Sequence, residues 1–298
     1  MIEQPKRIFV FGDSLQDNGN VKRTLGAPKA PYLDGRFSDG PVASEHLAEI
    51  YARETNQKPP EVCNFAHGGA LSSGPNPKSL LKEHALSVKQ QADIFKSRFH
   101  RFNEDDLVLL DGGGNNLFFA IYDESPYFNL PAMFRFGNDI ANIADDLIKH
   151  GARKIVIWTV PDVTVTPTFR IMKFPKVIVS TLRAMYKHQV KRQNKKISDS
   201  VKILRRKYSH AQIELFDAYT FLNGVIENPG TFGFENTTDP CVDSFGGFDL
   251  QGNMQDHIDI NHDPETHLFW DWVHPTAKGQ RIIAEEIYKL LHKSDLPQ

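Results

Sequence analysis

Apolar positions along this chain fall into two periods that alternate from one end to the other. Arg7–Phe11, Val62–Phe65, Leu107–Leu110, Lys154–Val160 and Gln212–Phe216 are short runs rich in Ile, Val, Leu and Phe, without polar alternation. Runs of that kind suit strands covered on both faces in a parallel sheet. Between them the spacing becomes that of a helix face. Val42, His46, Leu47, Ile50 and Tyr51 follow Pro41, and Val88, Ala92, Phe95, Phe99 and Phe102 form a second stripe. Ile140, Ile143 and Leu147 form a third that stops at Gly151, and Ile282, Ile283, Ile287 and Leu290 follow Pro275 as the last. Pro41 and Pro275 are read as helix openers, where the missing N–H has no intrahelical partner. Strand and helix in repeated alternation predict one doubly wound α/β domain over residues 1–298, without repeat, low-complexity tract or linker.

Composition narrows the class only a little. A chain of 298 residues, 40% hydrophobic and 24% charged, can bury a core without disulfides or metals. No apolar run approaches the roughly 18 residues that span a bilayer. A net charge of −2 gives no support for nucleic-acid binding. Two cysteines, Cys63 and Cys241, are too few for a disulfide framework, and whether they pair stays open. Only Ile8–Phe11 separates Lys6–Arg7 from Gly12, too short for a secretory apolar core of about 7–15 residues. The chain is therefore expected either to remain in the cytosol or to be a mature form without its leader.

Charge is uneven. Residues 170–207 hold thirteen Lys/Arg and one acid, Asp199, a net of +12 against −14 for the remainder. The plainer reading is one or two long helices with solvated basic faces. The functional reading is contact with phospholipid headgroups or an anionic membrane surface.

Candidate chemistry sits where the strands end. Phe11-Gly12-Asp13-Ser14-Leu15 puts a serine at the C-terminal end of the first strand, where open α/β sheets hold their ligands. Trp270-Asp271-Trp272-Val273-His274-Pro275 places an acid three residues before a histidine, within reach of its Nδ1–H, which leaves Nε2 free to take a serine proton. Asn64–Ala70 and Asp111–Asn116 follow the second and third strands, with glycines that allow close backbone approach and Asn amides that can donate to an oxyanion. Each motif alone is weak, since a serine after a strand is often only a cap and Asp–His proximity is common among twelve histidines. Gly112–Gly114 lacks any nucleotide-loop continuation, and Ser72 in Gly69–Gly74 is one position off a nucleophile elbow.

Together, in the order Ser, Gly, Asn, Asp/His, the blocks are specific. Gly12–Asn20, Gly35–Pro41, Asn64–Ala70, Gly113–Asn115, Gly151–Val156, Asn228–Phe234 and Asp271–Thr276 resemble the GDSL family of serine esterases and lipases, within the SGNH hydrolases. The likeness runs from about residue 7 to 290. It implies a flavodoxin-like, five-stranded parallel sheet flanked by helices. It also implies Ser14 as nucleophile, His274 as base and Asp271 as its orienter. The oxyanion hole would comprise the Ser14 and Gly69 N–H groups and the Asn115 side chain, with Gly68 open as the alternative to Gly69. No metal and no cofactor are implied, so the acidic loop Asp256–Asp263 is expected to be a surface excursion. One departure stands out: Asn116 replaces the acid of the family's Gly-x-Asn-Asp, and a structural adjustment is expected there.

The whole-chain pattern looks most like the bacterial lipolytic branch, with its phospholipases, lysophospholipases and glycerophospholipid–cholesterol acyltransferases. A lysophospholipase or phospholipase A acting through an acyl-serine is the expectation. Phe118, Phe119, Phe128 and Phe134, just after the oxyanion Asn, are candidate acyl-groove residues, with core packing as the alternative. Rival readings are a small-ester esterase (carbohydrate acetylesterase or choline esterase), an acyltransferase, and a catalytically dead lipid-binding protein.

Overall fold

The computed structural model describes residues 3–74, 85–122, 130–172, 175–249 and 252–293. All five expected strands form: β1 (Arg7–Phe11), β2 (Glu61–Asn64), β3 (Leu107–Leu110), β4 (Lys154–Trp158) and β5 (Gln212–Phe216). They pair in parallel in the order β2-β1-β3-β4-β5. In register, Ile8 lies beside Val62 and Leu107, and Ile155 beside Val108 and Ile213. The chain reverses its direction of winding between β1 and β3, which opens a crevice at their C-terminal ends.

Nine α-helices are described: α1 (Asn20–Leu25), α2 (Ala43–Thr55), α3 (Val88–Phe99), α4 (Gly114–Tyr122), α5 (Leu130–Lys149), α6 (Thr168–Ile171), α7 (Lys176–Lys207), α8 (Ala218–Glu227) and α9 (Ala277–Leu291). Alternate strand residues face opposite layers, as the two-residue period requires. Phe9, Phe11, Val108, Leu110, Ile155 and Ile157 pack against α3, α5 and α7. Ile8, Val10, Leu107, Leu109, Val156 and Trp158 pack against α2 and α9. Among the described residues no helix is long and apolar enough to cross a membrane.

Boundaries differ from the expected ones for local reasons. Strand β4 stops before Val160 because Asn194 of α7 takes over that residue's backbone, accepting from its N–H (2.9 Å) and donating to its carbonyl (2.7 Å). Neither proline opens its helix. Glu45 accepts the Val42 N–H (3.0 Å) at the start of α2, and the Thr276 hydroxyl accepts the Gly279 N–H (3.3 Å) at the start of α9. Side-chain acceptors satisfy the first-turn donors and so set these starts. Phe102 falls beyond α3 yet stacks on Phe95 at 3.9 Å between ring centroids. A short parallel pair, β6 (Asn236–Pro240) with β7 (His267–Phe269), was not expected from the sequence. Cys63 and Cys241 are both free thiols.

The β1 and β3 ends are joined by a carboxylate. Asp111 Oδ1 accepts the Asp13 N–H (3.0 Å), and a Cβ on Gly12 would lie 1.8 Å from that oxygen, so only glycine fits. Among the described residues Asp111 Oδ2 is buried and meets no donor. Burial first, and then the neighbouring Asp13 carboxylate, push the Asp111 carboxyl well above the usual range. A carboxyl raised on folding holds its proton in the native state, so its stabilising contribution is complete below the unfolded value and is lost as pH rises through the folded one. Asp111→Asn keeps an acceptor for Asp13 and cannot ionise. Its stability relative to wild type, read from urea midpoints, should rise with pH by up to about 1.4 kcal/mol per unit across that window. A difference that is constant from pH 4 to pH 8 would show that Asp111 ionises normally.

Candidate active site

Ser14 stands one turn beyond β1, over the crevice. The strand exit is clamped by Gln91 of α3, whose Oε1 accepts the Gly12 N–H (2.9 Å) and whose Nε2 donates to the Gly12 carbonyl (2.8 Å). Ser14 Oγ lies 2.7 Å from His274 Nε2. His274 Nδ1 lies 2.9 and 2.8 Å from the two oxygens of Asp271. With the Nδ1–H donated to the carboxylate, Nε2 is the nitrogen that accepts from serine.

Asp271 is fully buried and is surrounded by donors. Its Oδ1 accepts the N–H groups of Val273 and His274, both at 2.8 Å, which folds Asp271–His274 into a tight turn. Its Oδ2 accepts the Tyr32 hydroxyl (2.8 Å) and the Gly246 N–H (3.0 Å). Burial by itself pushes this carboxyl up. The charge of His274 and the surrounding hydrogen bonds outweigh it and hold the group below its ordinary value. Burial, and the charge of Asp271 after it, raise the Tyr32 phenol well above its usual range, so it stays a donor. Phe37 packs against the His274 ring at 5.1 Å between centroids.

The expected oxyanion side, around Gly68, Gly69 and Asn115, is organised by a second buried acid. Asp17 accepts the N–H groups of Gly19 (2.8 Å), Asn20 (2.6 Å), Val21 (3.2 Å) and Gly68 (2.8 Å). This ties the Ser14 segment to the loop after β2. It also commits the Gly68 N–H, while Gly69, with a φ of 78°, lines the pocket beside Ser14, Asn115 and His274. One Asn115 amide hydrogen goes to the Ala70 carbonyl (3.2 Å), which fixes the side chain and leaves the second hydrogen for a ligand. Asn116 turns away: it accepts the Ser72 N–H (2.9 Å) and donates to Ser72 Oγ and the Ala132 carbonyl, both at 3.0 Å. Ser72 and Ser73 donate to Asp139 at 2.7 and 2.6 Å, away from any histidine.

The pocket wall is predominantly apolar. It includes Phe118, Val160 and Phe245 near the triad, then Phe221, Leu222 and Val225 of α8, Phe234, Leu268, and Ile282 and Ile283 of α9. Phe118 is therefore in the wall, edge-on to Phe245 at 5.7 Å. Phe134 is 43% exposed and does not line the pocket. The Phe119 side chain and Phe128 lie outside the described residues. Sequence reasoning missed Tyr32, Gly246, Asp17 and the α8 wall. Of these, Asp17 lies in the Gly12–Asn20 block and α8 offers Phe221, Leu222 and Val225 at helical spacing, and neither signal says what the side chains meet. In the acidic loop His257 pairs with Asp259 at 3.0 Å. Among the described residues no three His, Cys, Asp or Glu side chains are grouped to hold a metal ion.

Known proteins resemble this chain over most of its length. The family model described as GDSL-like Lipase/Acylhydrolase matches residues 8–287. A GDSL esterase/lipase of Arabidopsis thaliana is 23% identical over 93% of this chain and 91% of its own length. The GDSL esterase/lipase APG of the same plant is 25% identical over 93% and 88%. The GDSL esterase/lipase ENOD8 of Medicago truncatula is 26% identical over 94% and 85%. These relatives are plant proteins, and they give no support to the narrower bacterial branch. With a matching family model over nearly its whole length, the chain belongs to the GDSL-like lipase/acylhydrolase family, whose chemistry is the hydrolysis of acyl esters.

Proposed function

We propose that this chain hydrolyses lipid acyl esters, as a lysophospholipase or phospholipase A, through an acyl-Ser14 intermediate. The observation that carries the lipid reading is the apolar pocket that begins at Ser14 and His274 and takes its far wall from α8 and α9. A short acyl group needs no such wall, whereas a long chain buries about 0.8 kcal/mol for each CH₂ it places there.

The chemistry follows from the contacts. Ser14 Oγ attacks the ester carbonyl carbon while its proton passes to His274 Nε2. The resulting oxyanion is held by the Ser14 and Gly69 N–H groups and the free Asn115 amide hydrogen. Collapse breaks the bond to the alcohol, which leaves with the proton from His274. Water then gives a proton to His274, attacks the acyl carbon and releases the carboxylic acid from Ser14. Asp271 remains ionised throughout and stabilises the imidazolium.

Three outcomes are expected. Activity on p-nitrophenyl esters should persist or rise from butyrate to longer chains, with fatty acid released from lysophosphatidylcholine; a collapse beyond butyrate would make this a small-ester esterase. Ser14→Ala should abolish labelling by a fluorophosphonate probe and lower kcat by several orders of magnitude. Substantial turnover by the folded variant would move the nucleophile elsewhere. Asn115→Ala should lower kcat by roughly 100- to 1000-fold with a small change in KM, because its bond strengthens in the transition state. A KM effect at normal kcat would make Asn115 a ground-state contact instead.

A further inference from the structure

Helix α7 is longer than the fold needs. Its 32 residues extend about 48 Å, against about 17 Å for a five-residue strand. It runs beside α5 in the same direction, with the Gly137 N–H donating to Gln193 (3.1 Å) and Lys207 pairing with Asp145 (2.6 Å). Since α5 begins at Leu130, the part of α7 before about residue 186 runs on past it. That overhang stands at the C-terminal edge of the sheet, because α7 leads down into β5. At its end Tyr186 donates to the Leu117 carbonyl of α4 (2.9 Å), and in the preceding helix, α6, the Thr168 N–H donates to the Trp272 carbonyl between Asp271 and His274 (3.0 Å).

The overhang does not have the surface of a solvated helix. Val177, Ile178 and Met185 are 70%, 45% and 42% exposed, and they share one helical face with the exposed Thr181 and Ala184. Basic side chains border that face. Residues 163–198 contain nine Lys/Arg and no Asp or Glu. Among the described residues Lys176 and Arg183 make no ion pair, and Lys187 reaches Asp162 at 3.6 Å. Farther along α7 four of the eight Lys/Arg are paired within the chain: Lys195 and Lys202 share Asp199, Arg205 pairs with Glu214 and Lys207 with Asp145.

We propose that the first three turns of α7 form an interfacial docking face that seats the mouth of the catalytic pocket on an anionic lipid surface. Apolar side chains bordered by Lys and Arg match the boundary between acyl chains and anionic headgroups. A second copy of this chain fits less well, since a two-fold contact would set the same cationic face against itself. The inference rests on the lipid reading for its purpose, and on α7 alone for its geometry.

Sedimentation tests it, with vesicles of phosphatidylcholine alone and of phosphatidylcholine with phosphatidylglycerol. Wild type should bind the anionic vesicles at least about tenfold better, and the preference should fade in high salt as screening shortens the reach of the charges. Val177→Ser/Ile178→Ser/Met185→Ser and, separately, Lys176→Gln/Arg183→Gln should each weaken binding about tenfold or more. Both should keep wild-type melting temperature, solution mass and hydrolysis of a soluble ester. Lys195→Gln/Lys202→Gln, on the paired half, should bind as wild type does. Wild-type sedimentation that ignores lipid charge, or a serine variant that binds normally, would overturn the proposal. A serine variant whose solution mass falls would overturn it in favour of a second copy as the occupant. Vesicle binding without fatty-acid release from any phospholipid or lysophospholipid would defeat the substrate reading and leave the docking face standing. Long-chain ester hydrolysis without vesicle binding would do the reverse.

Discussion

A carboxylate taken out of water costs several kcal/mol unless donors replace the water, and Asp271 has no access to solvent. Five donors meet it: the Val273 and His274 N–H groups, the His274 ring, the Tyr32 hydroxyl and the Gly246 N–H. They come from three separate parts of the chain, so the carboxylate draws the segment after α1, the loop after β6 and the turn before α9 to one point. The imidazole orientation, the Phe37 packing on its face and the line from Nε2 to Ser14 all depend on that convergence. Tyr32 contributes by staying protonated, and its hydroxyl oxygen in turn accepts the Gly247 N–H at 3.1 Å.

Three further buried acids show how differently the same group is used. Asp17 collects four backbone N–H groups and fastens the serine segment to the Gly68–Gly69 loop. Asp111 has one backbone donor and an unmet oxygen, and burial moves it towards the neutral form. Asp13 lies between it and the triad, its carboxyl also raised by burial. The crevice thus has one firmly ionised acid beside the histidine and a protonation-prone pair on the far side of the serine. Negative charge is thereby kept low on that side of Ser14.

Much of this was legible in the residues before any coordinates. The central strands are covered on both faces, so Ile8–Phe11, Leu107–Leu110 and Ile155–Trp158 read as unbroken apolar runs. Ser14, Gly69, Asn115, Asp271 and His274, expected together from the order of their blocks, do line one crevice or adjoin it, with Ser14 and Asp271 both meeting His274. What escaped has a common physical character. Tyr32 and Gly246 act through contacts between segments far apart in sequence, and a lone Tyr or Gly carries no periodic signal. The β6–β7 pair is short and, at Asn236–Pro240, polar, which reads as a loop. The α8 wall of the pocket looks from its sequence like any amphipathic helix, because periodicity marks an apolar face and not what it faces. In α7 the charge count was visible, but which lysines are spent on Asp199 and Asp145 depends on how the helix lies.

Ser14 and His274 touch although they stand 260 positions apart in the chain. The five strands and most of their covering helices are complete by Glu227, while Asp271 and His274 arrive in the last strand-to-helix turn. During synthesis, then, the Ser14 segment and the loops after β2 and β3 emerge long before the histidine that meets the serine. Residues 271–274 come with α9, whose Ile282 and Ile283 complete the pocket wall, so the Ser14–His274 contact and the pocket are finished together. On the proposed chemistry, regain of esterase activity on refolding accordingly times the arrival of the C-terminal turn and α9 together.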